Sequence, residues 1–102
     1  MSEKTFKRAA RRLMESMGVV GDLYRSDGPM VADVLLHISR DVAVVSPGQS
    51  ETSELRNEAE MLVEDVCNLR KRDQIVYGQE VWQVESKVAN DGYTIRVVVS
   101  EQ

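Results

Sequence analysis

The sequence predicts an α+β domain: a mainly antiparallel β-barrel or sandwich of about six or seven strands, preceded by an amphipathic helix. Three observations predict it. Apolar residues recur at spacings of three and four as far as Met17, the period becomes two from Val19, and tight glycine turns separate the last alternating segments. At 102 residues the chain is one domain, because a second core would leave each half too small to fold unaided. Residues 1–17 are expected to be helical and residues 19–99 to form the β-rich body.

In the first segment Phe6, Ala9, Ala10, Leu13, Met14 and Met17 gather on one stripe of a helix. Ser2 is suited to cap its start, and Gly18 to end it in a left-handed conformation. Opposite the stripe lie Lys4, Arg8, Arg11 and Arg12, with Lys7 at its edge.

The β body follows from alternation. Met30, Ala32, Val34, Leu36 and Ile38 alternate with Asp33, His37 and Ser39, and a short β-branched run spans 42–45. Ala59, Met61 and Val63 alternate with glutamates, and a helical turn is expected between Glu64 and Leu69. Trp82, Val84 and Val88 alternate with polar residues up to Asn90-Asp91-Gly92, after which Tyr93, Ile95, Val97 and Val99 make the returning strand of a hairpin. A turn at Gly78-Gln79-Glu80 adds the segment 74–77, so the last three strands should form an antiparallel meander. The polar stretch 46–53 has no apolar anchor and is expected to be a mobile loop.

Composition excludes several classes. The formal net charge of −4 argues against a dedicated nucleic-acid binder, which needs a net basic face to displace counterions. Cys67 is the one cysteine, so no intrachain disulfide is possible and cytoplasmic synthesis is expected. The amino terminus is too charged for a signal peptide, and no run approaches a membrane span, so no membrane role is expected.

No catalytic constellation emerges. His37, with Ser39 and Asp41 along the same strand, does not make a nucleophile–base geometry, and a structural role is the better reading. Cys67 lacks an activating neighbour and reads as a small buried hydrophobe. One histidine and one cysteine thirty residues apart fall short of a zinc site. The acidic residues Glu54, Glu58, Glu60, Glu64 and Asp65 lack an EF-hand pattern and read as a solvated face or a partner-facing patch. None of the glycines opens a phosphate-binding loop. The expectation is therefore no enzyme, no cofactor and no metal.

Two basic groups stand out: Lys4, Arg8, Arg11 and Arg12 on the helix, and Arg70-Lys71-Arg72. In an otherwise acidic chain they polarise the molecule, which suits head-to-tail contact between unlike surfaces. They are the candidate protein interface.

The stretch Leu69-Arg70-Lys71-Arg72-Asp73-Gln74-Ile75-Val76-Tyr77-Gly78-Gln79-Glu80-Val81-Trp82-Gln83-Val84 resembles the late region of the lambda-type phage head–tail joining (tail attachment) proteins. In that family a Leu, basic residues and an Asp precede an apolar strand, a Gly-centred turn and an aromatic-containing strand. The turn at Asn90-Asp91-Gly92 and the final strand continue the likeness, which covers about 45 residues from Leu55 to Val99. Where the family pattern tends to have a Gly between the basic pair and the Asp, this sequence has Arg72, which leaves the geometry of that turn open.

The resemblance implies a prophage-encoded structural protein, with no cofactor and no catalysis. Its copies would form a ring on the assembling particle, between the head connector or portal and the tail proteins. The protein would then pass from the host cytoplasm to the virion head–tail junction. Two other classes compete: a small nucleic-acid-binding regulator using the basic helix, and an enzyme or ligand-binding barrel with convergent polar groups in a pocket.

Overall fold

The computed structural model describes residues 3–45 and 53–102. Helix α1 spans Glu3–Met17, and six strands follow: β1 (Val19–Tyr24), β2 (Val31–Val45), β3 (Ser53–Leu62), β4 (Gln74–Tyr77), β5 (Glu80–Asn90) and β6 (Thr94–Glu101). A one-turn helix, α2 (Val63–Val66), lies between β3 and β4. The strands close into an antiparallel barrel in the order β1-β2-β3-β6-β5-β4, with β1 pairing β4. The α+β class, the amino-terminal helix, the helical turn and the carboxy-terminal meander of the sequence reading are all present. Residues 46–52 of the expected loop lie outside the described residues, and Ser53 begins β3.

Alternation puts one row of each strand inside. Leu23, Val34, Leu36, Ala59, Met61, Ile75, Trp82, Val84, Ile95, Val97 and Val99 form one buried cluster. Val66 and Leu69 join it from the segment between β3 and β4 and close that end of the barrel. At the other end the Arg40 guanidinium lies 5.4 Å from the Trp82 ring centroid and pairs with Glu80, which also accepts the Trp82 Nε1–H at 3.1 Å.

β2 is one long strand where the sequence suggests two segments, because the bend between them is a bulge. Its register against β3 shifts between Ser39 and Val42, and Asp41 there has φ of 56°. Asp33 also has φ of 56°, beside the register shift against β1. Aspartate tolerates this left-handed region better than most residues. Each displaced amide is recovered locally: the Asp33 N–H donates to Asp22 Oδ1 and the Asp41 N–H to Asn57 Oδ1, at 3.1 and 3.0 Å.

The hairpin turns obey their sequences. Tyr77 pairs with Glu80 across a two-residue loop in which Gly78 has φ of 60°, the first position of a type II′ turn. At the β5–β6 loop the Asp91 carboxylate accepts the N–H groups of Tyr93 and Thr94, both at 2.8 Å.

Helix α1 departs from expectation in two ways. It packs against β2 and β3, but of the apolar stripe only Met14 is fully buried, while Phe6, Leu13 and Met17 stay 45, 53 and 46 % exposed. Secondly, Gly18 is not left-handed. It is needed for close approach: its N–H donates to Met14 O at 2.6 Å, and a Cβ there would meet the Met14 and Leu36 carbonyl oxygens at 2.5 and 2.8 Å.

Two outcomes are expected. Gly18→Ala forces backbone apart where helix meets barrel and should cost about 2 kcal/mol in a denaturant titration; an unchanged midpoint would refute the close approach. Hydrogen bonds from the N–H of Thr94, then Tyr93, hold the Asp91 carboxyl below its usual range. Its folded-state pKa is depressed, so its contribution is present above about pH 4 and fades as pH falls through the folded value. Because Asp91 is exposed, Asp91→Asn should cost less than about 1 kcal/mol at neutral pH. Unfolding curves of the two proteins should converge as pH falls through the folded value of Asp91.

Candidate functional site

Among the described residues the most buried ionisable group is Asp73, with no exposed surface. It stands at the entry to β4, and the backbone is wrapped around its side chain. Oδ1 accepts the Ser26 N–H and Oδ2 the Arg70 N–H, each at 2.9 Å, and Arg25 Nη1 lies 3.4 Å from Oδ2. Arg25 also donates to the carbonyl oxygens of Val66 and Asn68. The Asp73 carbonyl accepts the Val84 N–H at 2.8 Å, and the Arg72 N–H donates to Val84 O at 2.9 Å. The carboxylate thus joins the loop after β1 to the turn before β4, while Arg25 and the Asp73 backbone bring in the end of α2 and β5.

The turn beside it is Arg70-Lys71-Arg72-Asp73, closed by the Asp73 N–H on Arg70 O at 3.0 Å. Arg72 has φ of 79°, the value that the third residue of a type II turn takes and that glycine adopts without strain. The backbone thus keeps the conformation of a glycine where an arginine stands. Arg70 pairs with Asp27 across the turn, while Lys71 and Arg72 are exposed.

On α1 the predicted cations divide. Arg11 faces the barrel side: its Nε donates to Glu64 Oε1 at 2.8 Å and its Nη2 to Asp65 Oδ1 at 2.6 Å, which raises the guanidinium pKa further. It differs from the other helix cations because one-turn α2 presents its two acids to it. Lys4, Arg8 and Arg12, spaced by four, form an exposed row that makes no ion pair among the described residues. No ion pair or hydrogen bond joins this row to Arg70, Lys71 or Arg72 among the described residues.

The acidic cluster is not a free patch either. Glu58 pairs with Arg56 at 2.8 Å, Glu60 with Arg96 at 2.9 Å, and Glu64 and Asp65 with Arg11. One cation is a cross-strand neighbour, Arg96 opposite Glu60 in the β3–β6 register; Arg56 comes from two residues along β3 and Arg11 from α1. Among the described residues no group of three potential ligands could hold a metal ion.

His37 lies opposite Glu60 on the outer face of β2 and β3, beside a cleft of about 270 Å³ bounded by Met17, Ser39, Glu58 and Arg96. No serine or carboxylate is hydrogen-bonded to it among the described residues. Cys67 is exposed, against the expectation of burial. It caps α2 with φ of 61°, which turns its side chain outward while Val66 and Leu69 take the buried positions.

One surface escapes a reading of sequence alone. On the outer face of β4–β1–β2, Val20 stands opposite Leu35 and Asp22 opposite Val76, with Asp33 bonded to Asp22. Val20 and Tyr24 are 52 and 44 % exposed, and neither aspartate pairs with a cation among the described residues. Only alternation hints at this face; its lack of cations emerges when three strands separated in sequence are laid side by side.

Among the described residues, no helix is long and apolar enough to cross a membrane. The chain matches no protein-family model, and no curated protein is significantly similar to it.

Asp73→Ala should cost about 3–5 kcal/mol, because it strands the buried ends of Arg25 and two amides. Arg72→Gly should be neutral or raise stability by up to about 1 kcal/mol through relief of the left-handed φ. Denaturant unfolding of both variants checks the pair, and a loss of more than 1 kcal/mol in Arg72→Gly contradicts the turn assignment.

Proposed function

We propose that this protein is a structural adaptor of a lambda-type phage particle, present in several copies as a ring between the head connector and the tail. The observation that carries this reading is the segment from Leu69 to Val84, whose order of residues resembles the head–tail joining family. Arg72, its one departure from the pattern, has the left-handed φ of 79° that a glycine there would take. The departure is in side chain, not in backbone.

Surface chemistry supports a binding role over catalysis. The polar groups that reach the interior are consumed by structure: Asp73 holds chain segments together and Glu80 anchors Arg40 and Trp82. The side chains left without partners are on outward faces, including the row Lys4, Arg8 and Arg12. Exposed charges of this kind fix register and orientation between large partners more than they add affinity. A nucleic-acid-binding regulator would use the same row, and its affinity would fall steeply with salt; the net charge of −4 opposes it.

The test is binding to tailless, DNA-filled heads of a lambda-type phage that lacks its own joining protein. Electron microscopy should show added density at the portal vertex, and added tails should then join. The variant R8E/R12E should fold normally and lower the yield of joined particles at least about tenfold. Absence of the protein from the vertex, or salt-sensitive binding to naked duplex in its place, would exclude the adaptor reading.

A further inference from the structure

We infer that copies of this chain contact one another head to tail, the outward face of α1 of one copy seated on the bare β4–β1–β2 face of the next. Helical spacing gives the α1 face three parallel strips: the cations Lys4, Arg8 and Arg12, the small exposed residues Thr5, Ala9 and Ser16, and the half-exposed apolar row Phe6, Leu13 and Met17. Small residues between the other two strips let a second surface approach the helix closely.

The second face has the complementary chemistry. Val20, Tyr24, Leu35 and Val76 supply apolar surface, Asp22 and Asp33 supply negative charge, and no cation stands among them. Among the described residues neither face is satisfied: Lys4, Arg8 and Arg12 pair with no anion, Asp22 and Asp33 pair with no cation, and Phe6, Leu13, Met17, Val20 and Tyr24 remain about half exposed.

Topology sets the relation between the two. In the closed order β1-β2-β3-β6-β5-β4, β3 lies across the barrel from β4 and β6 across from β1. Helix α1 packs on β2 and β3, and its Phe6 ring sits 5.7 Å from Tyr93, just before β6. The helix therefore lies against β2 and β3, and the bare face is centred on the neighbouring strand β1 and continues to β4, so the two faces point in different directions. Two unlike surfaces of one chain that face different directions make a heterologous contact, which repeats from copy to copy and closes when the rotation per step divides a full turn. That closure makes a ring rests on the adaptor reading; the contact itself does not.

Cysteine cross-linking tests it. In a Cys67→Ser background, Ala9→Cys and Tyr24→Cys place one thiol on each face. Under mild oxidation the chain with both cysteines should give a ladder of dimers, trimers and larger species. An equal mixture of the two single variants should give the mixed dimer in preference to either homodimer. R8E/R12E, or raised salt, should weaken the ladder about tenfold. Retained Trp82 fluorescence and a cooperative unfolding transition establish that each variant is folded. A preference for homodimers, or no more ladder than a pair with its second cysteine at Lys87 gives, overturns the contact. A ladder without binding at the portal vertex would sink the adaptor role and leave the contact standing. Portal binding without the Ala9–Tyr24 link would do the reverse.

Discussion

Everything at the α2 end of the barrel depends on the burial of one carboxylate. Asp73 has no exposed surface, and a charge in that position is tolerated only if hydrogen bonds replace its lost water. The replacements come from the loop after β1, through the Ser26 N–H and Arg25, and from the turn before β4, through the Arg70 N–H. Arg25 extends the dependence by donating to the Val66 and Asn68 carbonyls at the end of α2. Held there, α2 also presents Glu64 and Asp65 to Arg11 of α1. A well-packed apolar cluster in the same place could be equally stable. The polar arrangement selects one geometry for three loops that have few apolar side chains of their own.

Why α1 leaves apolar surface uncovered is a question of magnitudes. Burying the exposed halves of Phe6, Leu13 and Met17 would contribute roughly 2–4 kcal/mol at about 1.5–3 kcal/mol per side chain. The Arg11 fork, partly exposed, is worth about 1 kcal/mol at most and does not outweigh that. The stronger constraint is covalent. Gly18 runs directly into Val19, which pairs with Leu36, and the close approach of Gly18 to the Met14 and Leu36 carbonyls fixes how the last helical turn is rotated. With that turn fixed, Met14 points inward and the row through Leu13 and Met17 lies to one side. The chain accepts unburied surface as a consequence of the helix–strand junction.

Local patterns were legible in the sequence where neighbours along the chain decide the outcome. The helix, the two glycine turns, the meander and the burial of Trp82 follow from spacing and turn chemistry. Charge partners were not legible, because Arg11 meets residues more than fifty positions away and β3 meets β6 only once the barrel closes. The acids from Glu58 to Asp65 therefore looked unattached when they are paired. Left-handed backbone at Asp33, Asp41, Cys67 and Arg72 was equally hidden, since nothing in those residue types demands it. At Cys67 that conformation reverses the expected burial. At Arg72 an arginine holds a conformation suited to glycine, at a cost of about 1–2 kcal/mol borne by the rest of the fold.

The same bulges that let six strands close also govern how the barrel can meet other molecules. Beyond Leu36, β2 pairs only with β3, and beyond Val84, β5 pairs only with β6. Both stretches have one side open to strand addition. Each is bent where it would be most adhesive: β2 at Asp41, and β5 at register shifts between Val84 and Ser86 and between Lys87 and Ala89. Bulges and an edge lysine oppose the flat backbone ladder that another chain would need. An association of the kind proposed would then rest on side chains of the outward faces, where charge and shape discriminate between a second copy and any other molecule that offers a free strand.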